Sequence, residues 1–242
     1  MNGMRQMDLN ADLGEGGGED AALLGLVSSA NIACGGHAGD EETMRRTIDL
    51  AMASGVAIGA HPGYEDREHF GRRAMAFPLD RVTDLVARQV EKLASLAEAA
   101  GATLHHVKPH GALYNQADRD ALFATAVVTG ITKIFPLAML YALPNSRLAE
   151  AGQAAGLTIC LEGFADRRYV ANGSLMPRNE PGAVITDIDE AVSRAMDLAK
   201  SGKVETLCVH GDGPTAVAIL RLLRKSLEAD GLTIHSKLRD RS

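Results

Sequence analysis

Residues 40–62, DEETMRRTIDLAMASGVAIGAHP, carry the pattern from which the fold follows. Asp40, Glu41 and Glu42 place acid in a first helical turn, where the helix dipole favours it, and Met44, Ile48 and Ala51 recur at helical spacing. Gly55 then caps the helix, Val56–Ala60 reads as a buried strand, and His61-Pro62 ends it. The same order of helix, glycine and strand recurs along the chain. Leu79 to Ala100 is a long amphipathic helix stopped at Gly101, and Thr103–Val107 is extended up to Lys108-Pro109-His110. Ser146 to Ala155 leads through Gly156 to Leu157–Leu161, and Asp187 to Ser201 leads through Gly202 to Glu205–Val209. A last helix, Thr215 to Ala229, ends near Gly231 before the short run Leu232–His235. Val127 to Pro144 is an apolar run interrupted by prolines, and we expect a strand within it.

Strands that alternate with helices imply right-handed βαβ units and a parallel sheet. The strands are almost wholly apolar, as expected when both faces are covered. About seven such units fit the 242 residues, which favours a closed β/α barrel over an open doubly wound sheet, with residues 1–242 forming one domain. Hydrophobic residues make up 46% and aromatics 4%, with no Trp, so the core relies on Ala, Leu, Val, Ile and Met. A net charge of -6 argues against nucleic acid or an anionic membrane as partner. No apolar run reaches the roughly 18 residues of a membrane helix, and no secretory pattern opens the chain. Cys34, Cys160 and Cys208 show no CxxC spacing, which fits a reduced, cytoplasmic setting.

The chemistry-capable residues gather just after the strands. Asp8, Asn10, Asp12 and Glu15 follow the first; Cys34, His37 and Asp40 the second; His61, Tyr64 and Asp66 the third. Lys108, His110, Tyr114 and Asn115 follow the fourth, Glu162, Asp166 and Arg167 a later one, and His210 and Asp212 the last clear one. In parallel α/β folds this rim is where ligands bind. Asp8, Asn10 and Asp12 alternate, so their side chains share one side of a strand whose neighbours Leu9, Ala11 and Leu13 are apolar. Bland readings exist for single residues: Asp40 as an N-cap, Cys34 as a small buried thiol. His210-Gly211-Asp212-Gly213 makes a glycine-flanked loop suited to phosphate, although no Walker spacing, GxSxG or HExxH occurs.

These segments, taken in order, resemble the signatures of the LamB/YcsF family, the A-subunits of 5-oxoprolinase. They are Asp8–Glu15, Ser29–Gly35 with His37–Asp40, Ala60–Gly63, Val107–Asn115, Phe164–Arg167 with Tyr169, Gly173 and Pro177-Arg178, and Cys208–Asp212. The resemblance implies a seven-stranded β/α barrel of the glycoside hydrolase/deacetylase type. It further implies ATP-dependent opening of 5-oxo-L-proline to L-glutamate together with 5-oxoprolinase B and C subunits, Mg²⁺ accompanying the ATP. Gly16–Asp20 is shorter than the family pattern, Gly36 replaces a bulkier residue and Glu41 stands in place of Pro; all three bear on the pocket mouth.

Such chemistry needs cations, a base and proton carriers. Lys108, with Arg167 or Arg178, is the candidate cation; Asp12, Glu15 or Asp212 the candidate base or metal ligand; His61 and His110 the candidate proton carriers. Asp8, Asn10, Asn31, Cys34, His37, Tyr114, Asn115, Asp166, Arg167, Arg178 and His210 are candidate substrate contacts. Two alternatives stand beside this: a metal-dependent amidase or deacetylase using Asp12, His61 and His110, and a non-catalytic subunit that binds the lactam. Assembly as a homo-oligomer is left open.

Overall fold

Apolar runs that follow a glycine become strands, and the helices between them return the chain to the same end of the sheet. The structure, a computed structural model, describes residues 5–237. Seven parallel strands pair in chain order: β1 (Arg5–Leu13), β2 (Ser29–Ala33), β3 (Ala57–His61), β4 (Leu104–Val107), β5 (Met139–Ala142), β6 (Thr158–Phe164) and β7 (Thr206–Val209). The ring closes because β1 bonds to both β2 and β7, with Asp12 level with Asn31 and Asn10 level with Cys208. The closed barrel is therefore formed, and the open sheet is not. An eighth strand, β8 (Leu232–Ile234), pairs outside the ring with Arg5–Met7 at the start of β1.

The helices are α1 (Asp20–Leu24), α2 (Glu41–Ser54), α3 (Leu79–Ala99), α4 (Gly111–Arg119), α5 (Ala121–Ile134), α6 (Arg147–Ala154), α7 (Ile188–Ser201) and α8 (Ala216–Ala229). Asp40 caps α2 by accepting from the Thr43 amide, Ser146 caps α6 and Asp187 caps α7. The expected strand between Val127 and Pro144 is present only as β5; the first half of that run is the end of α5. Among the described residues no helix is long and apolar enough to cross a membrane.

The main core lies between sheet and helices. Met7, Leu9, Ala11 and Leu13 of β1 pack there with Ile32, Ile58, Val107, Leu140 and Leu207 of the other strands. Their β1 neighbours Asp8, Asn10 and Asp12 point the other way, into the barrel. This corrects the reading of the strands as apolar on both faces, and of these polar residues as following the first strand. They lie within β1, and Ser29, Asn31, His106, Glu162 and Thr206 lie within other strands, all buried.

Candidate active site

The barrel interior is a column of polar side chains joined by hydrogen bonds. At its base Asp8 accepts from Ser28 Oγ (2.6 Å), Ser29 Oγ (2.7 Å), Tyr141 Oη (2.9 Å) and Thr206 Oγ1 (2.6 Å). Burial raises its carboxyl above the ordinary range, although these four donors pull the other way. Above it, Asn31 Nδ2 donates to Asn10 Oδ1 (2.8 Å) and Asp12 Oδ1 (2.9 Å), while His106 Nε2 donates to Asn31 Oδ1 (2.8 Å). Gly59 makes room for that imidazole: a Cβ there would overlap the His106 ring.

Lys108 crosses the column. Its ammonium lies 3.0 Å from Asp12 Oδ1, 2.9 Å from Glu162 Oε1, 2.9 Å from Cys208 Sγ and 3.2 Å from Asn10 Oδ1. Burial alone would depress its pKa, but Asp12, Cys208 and Glu162 outweigh it and hold it well above the ordinary value. Burial likewise pushes Asp12 up, and His61 and Lys108 overcome this and keep its carboxylate well below the usual range. The pair is mutually stabilised, and the Lys108 ammonium has no N–H left over for a further ligand.

Over Asp12 sits a cluster of three imidazoles and a carboxylate. His61 Nδ1 donates to the Lys108 carbonyl (2.7 Å), and His110 Nε2 donates to the Phe70 carbonyl (2.8 Å). Their other nitrogens, His61 Nε2 and His110 Nδ1, face each other at 3.0 Å, so in two neutral rings both present lone pairs. A proton or a cation is needed between them. Glu15 Oε1 lies 3.5 Å from His110 Nδ1 and 3.9 Å from His61 Nε2, and it accepts from His37 Nε2 (2.9 Å). Burial first, then the charges of Asp12 and Asp212, raise the Glu15 carboxyl well above its usual value. The His37 and His110 rings stack at 3.6 Å, and burial with the neighbouring imidazoles holds both well below the ordinary histidine range.

One ligand atom from each of Glu15, His37, His61 and His110 falls within 4.8 Å of the others, an arrangement able to hold a divalent metal. His61 and His110 fit best, since each already donates its remote N–H to a carbonyl, as metal-bound histidines do. His37 fits less well, because its buried Nδ1 has no partner.

Beside the cluster a cavity of about 680 Å³ opens, within the usual range of ligand sites. Asp12, His61, Lys108 and His110 form its floor, Tyr114 and Phe164 part of its wall, and Arg72, Arg119, Arg167 and Arg178 bring positive charge to its sides. Arg167 is buried and directs Nη2 at the Met176 carbonyl (2.6 Å); burial, reinforced by Arg178, pushes its pKa down to about 10. Arg72 and Arg178 both reach Asp212, at 2.5 and 3.4 Å. His210 lines the cavity and donates Nδ1–H to Asp166, 2.9 Å from either oxygen.

The LamB/YcsF family pattern matches residues 7–241. The chain belongs to the LamB/YcsF family. It is 48% identical to the 5-oxoprolinase A-subunit of Methylococcus capsulatus over 95% of this chain and 95% of that protein. The lactam utilization protein of Thermus thermophilus superposes with a TM-score of 0.87 at 41% identity, over 95% of this chain and 99% of that one. The fold reaches further. The catalytic domain of a peptidoglycan N-acetylglucosamine deacetylase from Eubacterium rectale gives a TM-score of 0.56 at 13% identity, over 97% of this chain and 89% of that one. At that distance the likeness concerns the barrel alone.

In this LamB/YcsF chain the expected residues divide by position. Asp12, His61, Lys108, His110, Tyr114, Asn115, Arg167, Arg178 and His210 line the cavity. Glu15 and His37 stand in the imidazole cluster, Asp166 supports His210, and Asp212 pairs with arginines at the rim. Asp8, Asn10 and Asn31 lie deeper in the barrel and do not line the cavity. Cys34 sits in the apolar core, donates to the Ile32 carbonyl, is pushed up to about 12 by burial, and does not line the cavity. The metal-capable set contains Glu15 and His37, whereas Asp12 approaches only His61, at 3.4 Å, and is committed to Lys108.

Sequence reading passed over Arg72, Phe70 and His106. Phe70 and Arg72 lie in the irregular segment after β3, which has no periodicity to mark them. Phe70 adopts φ 54°, a conformation rare for a bulky residue, and its carbonyl anchors His110. Gly71 beside it has no space for a Cβ, which would meet His37 at 2.8 Å. Gly36, flagged in the sequence, is similarly tight against the Gly63 carbonyl and Gln89.

Proposed function

We propose that this chain is the A-subunit of an ATP-dependent 5-oxoprolinase, which opens 5-oxo-L-proline to L-glutamate in the cytoplasm and works with B and C subunits. The observation that carries the reading is the 48% identity, over nearly the full length of both chains, to the Methylococcus capsulatus 5-oxoprolinase A-subunit. A lactam amide is resonance-stabilised and resists water. Transfer of the ATP γ-phosphoryl group to its carbonyl oxygen, with Mg²⁺ accompanying the nucleotide, supplies the activation. The cavity suits the anionic substrate: Arg167 and Arg178, with Arg72 and Arg119 beside them, bring positive charge for a carboxylate or phosphoryl group. Lys108 serves instead to keep Asp12 ionised at the cavity floor.

The test is glutamate formation from 5-oxoproline and ATP, first with this protein alone and then with B and C subunits. Turnover only in the mixture is the expected result. Its absence with partners shown to be competent would remove the reading.

The imidazole cluster favours a second reading, a metal-dependent amidase. Glu15, His61 and His110 would hold the ion, with His37 beside them. Such an ion would act as a Lewis acid on an amide carbonyl. This reading predicts stoichiometric metal in the purified protein and an amidase activity that chelation abolishes and ATP leaves unchanged.

A further inference from the structure

We propose that His210, held by Asp166, is the proton carrier of ring opening: it takes a proton from the attacking water and delivers it to the lactam nitrogen. The proposal rests on the lactam-opening reading above and adds to it the group that moves the proton.

The geometry distinguishes His210 from every other imidazole near the cavity. Its Nδ1 is fixed on Asp166 at 2.9 Å, its backbone N–H donates to the same carboxylate at 3.2 Å, and its ring stacks on Phe164 with 5.4 Å between centroids. Nε2 is thereby left as the lone-pair nitrogen, and among the described residues it has no protein partner. His61 and His110 have one nitrogen on a carbonyl and direct the other at each other, and His37 is bonded to Glu15. His106 is buried below, bonded to Asn31. The carboxylates acting on His210 are Asp166 from the segment after β6, Asp12 from β1 and Asp212 from the loop after β7. An oriented imidazole with a free nitrogen on a substrate cavity is the arrangement of a general base that later serves as acid.

The starting species is the O-phosphorylated lactam, with a C=N bond in the ring. Water oxygen bonds to the ring carbon, its proton passes to Nε2, and the C=N electron pair moves onto nitrogen, which takes that proton back from Nε2. Nε2 then accepts the proton of the new hydroxyl. The carbon–nitrogen bond breaks with its pair on nitrogen, and Nε2 hands the proton over to give the free amine. The carbon is left as an acyl phosphate, whose hydrolysis releases phosphate.

The experiment uses the protein assembled with its B and C subunits and follows glutamate formation. His210→Gln should lower kcat by about 100-fold or more with KM within about threefold. His210→Gly should fall similarly and regain about tenfold on addition of imidazole, a rescue that a purely structural role would not give. A His210→Gln enzyme within threefold of wild type would overturn the proposal. So would a His210→Gly protein with an unchanged melting temperature that ignores imidazole. An inactive wild-type mixture with competent partners is a different failure, which removes the lactam-opening reading and this role together.

Discussion

Leu9 and Asp12 lie on the same strand and both are buried, Leu9 on the outer face of the sheet and Asp12 on the inner, at the cavity floor. Leu9 belongs to the apolar layer beneath the helices, where stabilisation grows with buried area and tolerates imperfect geometry. Asp12 belongs to a column in which the interior charges and amides have named partners: Lys108, Glu162, Asn10 and Asn31. Inside the barrel Met139, Tyr141 and Cys160 form a small separate apolar cluster. One face is a sum of small contacts. The other is a linked set in which removing one member exposes the next, because an unpaired buried charge costs far more than the pair contributes.

That contrast can be broken at three places by denaturant unfolding of the isolated chain. Lys108→Met takes the ammonium away from buried Asp12 and Glu162, leaving Asp12 only His61, and a loss of about 3–5 kcal/mol is expected. Adding Glu162→Gln should recover part of it. A loss below about 1 kcal/mol would mean the column is not held by charge compensation. Leu9→Ala should cost about 3 kcal/mol, the ordinary consequence of a core cavity, and a cost above that of Lys108→Met would invert the comparison. The smallest effect is a pH trend. Because the folded state raises the Asp8 pKa, it holds that proton more tightly than the unfolded chain does. The stability this gives is present below the unfolded value of about 3.9 and lost as pH rises through the folded one. Wild type should therefore lose ground to Asp8→Asn between pH 4 and pH 7, and a difference that stays flat would rule out this account.

The helix–glycine–strand order was legible because its signals are local. Gly55 and Gly202 end α2 and α7 in the left-handed conformation, and Asp40, Ser146 and Asp187 cap helices where their sequence position implied. α5 was not legible. Its sequence ALFATAVVTGITKI is rich in β-branched residues and contains Gly130, features that argue against a helix on propensity alone. The structure supplies the missing reason: a Cβ at Gly130 would strike the Thr83 carbonyl and Val86, so glycine lets α5 lie close against α3. In the site, Asp12, His61, Lys108, His110 and His210 could be picked out because they cluster in short motifs. Their depth could not. Whether a polar residue belongs to the rim or to the barrel interior depends on the closed ring, and no short window of sequence contains that closure. Arg72 escaped for the opposite reason, since only its approach to Asp212, 140 positions away, gives it meaning.

The way β1 is shared also sets a timetable for synthesis. This first strand bonds to β2 almost at once, but its other two neighbours, β7 and β8, come from the far end of the described chain. At ribosomal speeds of about 5–20 residues per second, β1 waits roughly 10–40 s for them. Throughout that time the seam between β1 and β7 stays open, and Asn10 and Asp8 both lack Thr206. On its inner face the edge that waits carries Asp8, Asn10 and Asp12, and such inward-pointing polar side chains work against pairing with a neighbouring chain until the strand's own partners arrive.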